Sequence, residues 1–121
     1  QRAVDRSVDF AIQPRAALVY RLSGDYNPLH AEPAVARAAG FERPILHGLA
    51  TYGIAGWAIT QSVCGGDPAA VQSIDVRFSS PVYPGETIRT EIWIEGKVVS
   101  FRALAVERDI VVLNNGRAEL R

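Results

Sequence analysis

The pattern of apolar and polar positions divides the chain into two halves. In the second half, Val71 to Phe78 alternates, with Ile74, Val76 and Phe78 on one side. Thr87 to Ile94 alternates again, with Ile88, Thr90, Ile92 and Ile94 facing one way. A period of two marks a strand with one buried face. Phe101 to Val106 and Ile110 to Leu113 read as further strands, and Asn114-Asn115-Gly116 reads as a turn before a last short strand, Ala118 to Leu120. In the first half, Val8 to Ile12 predicts a strand stopped by Pro14. Ala16 to Ser23 predicts a short helix, with Pro14 near its start and Gly24 just past its end. Pro28 confines Asn27 to extended conformations, so Asp25 to His30 is expected as a tight, bent loop. Glu32-Pro33 opens a second helical stretch through Ala39, ended by Gly40, and an irregular stretch, Phe41 to Pro44, follows.

His47 to Val63 is apolar or small almost all round, the pattern of a helix wrapped on most sides. Gly48, Gly53 and Gly56 each cost a helix about 1 kcal/mol against Ala, which close approach by a sheet or ligand would explain. The longest apolar run, Ile45 to Cys64, is broken by Gly, His, Thr and Gln, so a buried helix is expected rather than a membrane span. A strand, helical material and then several antiparallel strands make an α+β domain, with one buried helix against one face of a curved sheet.

The length of 121 residues fits one domain, covering 1–121. A formal net charge of zero gives no basic excess for nucleic acid or an anionic membrane. The single cysteine, Cys64, excludes an internal disulfide and suits a reducing compartment, most simply a cytosol. Its place before Gly65-Gly66, after an apolar segment, reads as packing at a helix end. The chain opens at Gln1 without a basic leader and apolar run, which suggests an excised domain, a processed product or a trimmed chain.

The chain has two histidines, His30 and His47. Asp25-Tyr26-Asn27-Pro28-Leu29-His30 holds an acid, an amide and an imidazole in a proline-bent loop, which is able to aim Asp25 and His30 at one water as a general acid–base pair. On spacing alone, a capping aspartate and a surface histidine are the default. His47-Gly48 opens the apolar helix, so the Gly48 N–H falls in the first turn without an intrahelical partner. The missing side chain and the positive helix end suit an oxyanion, with tight packing as the alternative. For His47 a buried, hydrogen-bonded role is favoured. Asp25, His30 and His47 lack recognisable metal-ligand spacing, so no metal is expected.

The stretch Tyr20-Arg21-Leu22-Ser23-Gly24-Asp25-Tyr26-Asn27-Pro28-Leu29-His30-Ala31-Glu32-Pro33 resembles the signature of the MaoC-like, R-specific 2-enoyl-CoA hydratases (hydratase 2). Ala39 to Leu49, Arg77 to Thr87 and Asn114 to Leu120 are similar to the same family, so the resemblance runs over nearly the whole chain. It is strongest to the C-terminal, catalytic half of double-hot-dog hydratases, such as the hydratase unit of peroxisomal multifunctional enzymes. The resemblance implies a hot-dog fold with the His47–Val63 helix inside the sheet. It implies that Asp25 and His30 bind and activate the catalytic water, that Asn27 fixes the loop, and that the Gly48 N–H meets the thioester carbonyl. Glu32 stands where the family usually has Asp, at a helix start away from the chemistry.

The activity so implied is reversible addition of water to trans-2-enoyl-CoA to give (3R)-3-hydroxyacyl-CoA, with coenzyme A as part of the substrate and no separate cofactor. Tyr52, Gly56 and Ile59, at roughly one-turn spacings, are candidates to line the acyl tunnel, with core packing as the alternative. Arg43, Arg77 and Arg117 are candidates for coenzyme A phosphates or plain surface charges. A hot-dog thioesterase usually carries its acid on the central helix, and Ile54 to Gln61 has no carboxylate. A noncatalytic subunit that completes a partner's pocket would have no need of Asp25, Asn27 and His30. The double-hot-dog enzymes carry a second, noncatalytic half that helps bind substrate, so a homodimer or a heteromer with a second hot-dog domain is expected, with the Val71–Phe78 strand as an edge. A cytoplasmic location is expected, or a peroxisomal one for a piece of a eukaryotic multifunctional enzyme.

Overall fold

The computed structural model of the chain describes residues 3–12, 33–38 and 48–121. Its elements run β1 (Arg6–Ala11), α1 (Pro33–Ala38), α2 (Gly48–Val63), a 3-10 turn (Pro68–Ala70), β2 (Val71–Phe78), β3 (Thr87–Glu95), β4 (Val98–Ala105) and β5 (Ile110–Leu120). The helix expected over residues 16–23, the bent loop over 25–30 and the irregular stretch over 41–44 lie outside the described residues.

The strands form one antiparallel sheet in the order β1-β3-β4-β5-β2. Consecutive strands β1 and β2 therefore sit on opposite edges, and the connection between them, with α2 near its end, crosses from one edge to the other. Alternation builds the core beneath α2: Ile88, Thr90 and Ile92 of β3, Val99, Phe101, Ala103 and Ala105 of β4, and Val112, Leu113 and Ala118 of β5 are buried. The helix contributes Ala55 and Ile59 to the same cluster. Small residues on both layers let helix and sheet approach closely. This is the expected α+β hot-dog arrangement, one long helix against one sheet.

The expectation for Asn114-Asn115-Gly116 is corrected. These residues do not end a strand; they lie inside the 11-residue β5. Phe101 pairs with Gly116 but Ala103 with Leu113, and Asp75 pairs with Arg117 but Arg77 with Asn114. Besides a second register shift against β4, between Ala103 and Leu104, β5 carries at this point one extra residue against both neighbours. Asn115 takes it up at φ 52°, a left-handed conformation that asparagine tolerates, so the turn-forming residues make a bulge instead of a hairpin. The tight hairpin falls at Gly96-Lys97, between the paired Glu95 and Val98, with Gly96 at φ 61°.

The expectation that α2 is wrapped on most sides is also corrected. Thr51, Ala55, Ala58 and Ile59 are buried, but Gly53, Trp57 and Gln61 form an exposed stripe at four-residue spacing. The sheet covers one face only. Trp57 remains 45% exposed, and its ring meets the ring of Phe10 on β1 edge-on, at 5.5 Å between centroids.

The opposite face of the sheet is charged. Arg89 grips Asp9 through two bonds of 2.9 and 3.1 Å, tying edge strand β1 to β3, and Arg102 bonds Glu91 at 2.6 Å. The Arg89 hydrogen bond holds the Asp9 carboxyl below its ordinary range. That contribution is present above the ordinary carboxylate pKa and is lost as pH falls through the lowered one. It is small, because both side chains are nearly half exposed.

A Cβ added at Gly116 would stand 2.6 Å from the Phe101 carbonyl oxygen and 2.7 Å from two of its ring carbons. Gly116→Ala is therefore expected to lower unfolding stability by about 1–3 kcal/mol in a urea titration. An unchanged midpoint would contradict the packing described.

Candidate active site

Helix α2 is described from Gly48, so the Gly48 N–H falls in the first turn of the described helix. No acidic side chain stands in its first turn to offset the positive helix end. Gly48 is exposed, and a Cβ built on it would lie 3.4 Å from Cε1 and 3.6 Å from Cζ of Phe78. Phe78 closes β2 and is itself 55% exposed. Gly48 is thus an exposed position walled on one side by an aromatic ring. A neighbouring apolar wall lowers the local dielectric and strengthens a hydrogen bond from that amide to a charged oxygen.

Asp25, Asn27, His30 and His47 lie outside the described residues, as does Arg43. The other expected residues are placed. Tyr52 is half-buried, and its hydroxyl donates to the Ile74 carbonyl on β2 at 3.1 Å. Gly56 faces the same strand residue, with Ile74 Cδ1 at 3.7 Å from where a Cβ would stand. These two therefore set how closely α2 approaches β2. Ile59 is fully buried within the core cluster. Arg77 is exposed at the surface, and Arg117, also exposed, lies 3.6 Å from Glu119.

Cys64 follows the last helical residue. Its amide and that of Gly66 both return to the Thr60 carbonyl, while Gly65 and Gly66 take positive φ. Burial first, and then the Asp67 charge, push its thiol pKa up. A thiol held protonated is a poor nucleophile, which agrees with packing. A cleft of about 680 Å³ opens elsewhere, on the charged face of the sheet around Trp93, Arg102 and Asn115, and none of the expected site residues lines it.

Two features of this end of the molecule were not read from the sequence. Phe78 counted only as a strand residue, although its alternation with Ile74 and Val76 already placed it on the helix side. The Glu86–Arg108 ion pair had no local signal, since its partners stand 22 residues apart.

Comparison with known proteins places the fold and the sequence together. The family model described as "MaoC like domain" matches residues 1–115, and the chain belongs to that family. It is 56% identical over 101 residues to enoyl-CoA hydratase 2, peroxisomal, from Arabidopsis thaliana, covering 84% of this chain and 33% of that protein. It is 45% identical over 116 residues to the enoyl-CoA hydratase ChsH3 from Mycobacterium tuberculosis, covering 96% of this chain and 41% of that one. Among solved structures, the full-length peroxisomal multifunctional enzyme type 2 from Drosophila melanogaster superimposes with a TM-score of 0.96 at 40% identity, over all of this chain and 23% of that one. The chain thus spans well under half the length of these relatives.

Gly53 has nothing within 4 Å of the position a Cβ would take. Gly53→Ala is expected to raise stability by about 0.5–1 kcal/mol, read as an increase in thermal midpoint. A lower midpoint would mean that the space above this stripe is filled.

Proposed function

We propose that this domain hydrates trans-2-enoyl-CoA reversibly to (3R)-3-hydroxyacyl-CoA. The observation that carries the reading is the exposed Gly48 at the described start of α2, beside the Phe78 ring, in a chain that belongs to the MaoC-like family. The names of the two hydratase relatives support the substrate class.

The chemistry follows from the electronics of the thioester. Conjugation to the carbonyl makes C3 electrophilic, because attack there sends negative charge to the carbonyl oxygen. The Gly48 N–H, aided by the helix dipole, stabilises that oxygen as charge develops. Asp25 and His30 hold one water over C3, and Asn27 fixes the loop that carries them. One of the pair takes the water's proton during attack, and the other delivers a proton to C2. Dehydration runs the same steps backwards through the same groups. The reaction so written uses no metal and no redox group, and coenzyme A enters and leaves with the acyl chain. Tyr52, Gly56 and Ile59, at roughly one-turn spacings along α2, are the residues proposed to line the path of the acyl chain.

A second hot-dog domain, from another copy or another chain, completes the substrate site. The edge position of β2 and the exposed Phe78 beside Gly48 support this. No helix among the described residues is long and apolar enough to cross a membrane. We place the domain in peroxisomes where it belongs to a eukaryotic multifunctional enzyme, and in the cytoplasm otherwise.

Asp25→Asn and His30→Gln, followed separately by loss of the enoyl-thioester absorbance, are each expected to lower kcat by about 100- to 10,000-fold. Near-normal turnover in either refutes the pair, and release of free thiol in place of hydration would mark a thioesterase. Proline is well accommodated at a first helical position, so Gly48→Pro removes the amide hydrogen with little expected loss of helix. A fall in kcat of about 100- to 1,000-fold is expected at unchanged helical circular dichroism. A folded variant with full kcat would rule out the oxyanion role.

A further inference from the structure

At the end of the sheet where β2 finishes and β3 starts lies a partly buried ion pair that the mechanism above does not use. The connection between β2 and β3, residues 79–86, ends in a turn in which the Glu86 amide returns to the Tyr83 carbonyl and Gly85 takes φ 94°. Pro84 and Gly85 are the residues such a turn favours at its two central positions. The Glu86 side chain is 5% exposed and folds back to accept from the Tyr83 amide at 2.7 Å. Arg108, from the turn between β4 and β5, reaches it with Nε at 2.5 Å from one carboxylate oxygen and Nη2 at 2.9 Å from the other. The same Nη2 donates to the Pro81 carbonyl at 2.7 Å, and the guanidinium lies 4.9 Å from the Tyr83 ring centre. Two more bonds fasten the turn to the start of β3: the Val106 amide donates to the Thr87 carbonyl at 3.0 Å, and the Thr87 amide donates to Glu107 Oε1 at 2.8 Å.

This clamp grips a connection that leaves β2 at Phe78, beside Gly48, and ends at Glu86, which meets Ile12. At one end the Ile12 amide donates to the Glu86 carbonyl at 2.9 Å, and Ile12 is buried. At the other, Gly48 stands against the ring of Phe78, where β2 runs into the connection. In the sequence, Asp25, Asn27 and His30 fall between Ile12 and Gly48.

We propose that Glu86 and Arg108 are positioning residues that fix the helix-mouth amide and the entry of the acid–base segment relative to each other. The proposal rests on the hydratase reading above and names a device that sets its geometry. The planar fork of arginine satisfies two carboxylate oxygens and the Pro81 carbonyl together, which a lysine ammonium at the end of its flexible stem does not reproduce. Misplacement of reacting groups by about 1 Å from a distant mutation costs a rate on the order of a hundredfold.

The test compares Arg108→Gln, Arg108→Lys, Glu86→Gln and the Glu86→Gln/Arg108→Gln double variant with wild type, using Gly116→Ala as a control destabilised far from the clamp. Arg108→Gln and Glu86→Gln are expected to lower kcat for enoyl-CoA hydration by about 10- to 100-fold with KM within about threefold. The double variant should fall no further than the worse single, and Arg108→Lys should lie between. Gly116→Ala should keep wild-type kcat despite its lowered midpoint. Hydrogen exchange at the Ile12 amide is expected to quicken at least about tenfold in Arg108→Gln and to stay unchanged in Gly116→Ala. Full kcat in the clamp variants, or an equal loss in Gly116→Ala, overturns the proposal. A wild-type protein inert on every enoyl thioester strikes the hydratase reading alone. The exchange arm then decides the clamp: quickened exchange in Arg108→Gln supports it, and unchanged exchange overturns it.

Discussion

A helix must start somewhere, and its first amides have no partners within it. That constraint shapes this domain. Strands β1 and β2 lie at opposite edges of the sheet, so the chain has to cross between them, and α2 begins within that crossing. The start of α2 is left exposed at Gly48, beside the exposed ring that ends β2. A Cβ at this point would make only ordinary contact with the Phe78 ring, at 3.4 Å, so the ring borders the position without closing it. The proposed chemistry places the developing oxyanion at this spot and assigns delivery of the water to Asp25 and His30.

The rest of the molecule holds that place still. The helix is seated by small residues over a dry face of three central strands, and Tyr52 bonds it to the β2 backbone. The connection leading from Phe78 to β3 is locked by Glu86 and Arg108, a pair with one nearly buried partner and every charge matched by hydrogen bonds. Such a pair adds little net stability, because desolvation offsets much of its attraction, but losing one partner is costly. Its value here is geometric. The outer stripe of α2 follows the opposite logic: Trp57 and Phe10 stay in part open to solvent.

Much of this was legible in residue order. Period-two alternation located β2 and β3 almost to the residue, and the apolar helix was bounded to within one position. Turn chemistry misled at Asn114-Asn115-Gly116, because the same conformational freedom serves a bulge as well as a hairpin, and only pairing on both sides distinguishes them. Apolar content misled for α2, because Trp57 and the glycines count as apolar whether or not anything covers them. The position of Gly48 in the first described turn of α2 could be read from the sequence because it depends on one boundary. The Glu86–Arg108 clamp could not, because it depends on two turns meeting in space.

The account is tested most directly by a crystal structure of the domain, with whatever second hot-dog domain it requires, holding a 3-hydroxyacyl-CoA. The account predicts the thioester oxygen about 3 Å from the Gly48 nitrogen and the 3-hydroxyl between the Asp25 carboxylate and the His30 ring, at hydrogen-bond distance from both. A thioester oxygen bound away from the start of α2, or a hydroxyl out of reach of both side chains, would contradict it.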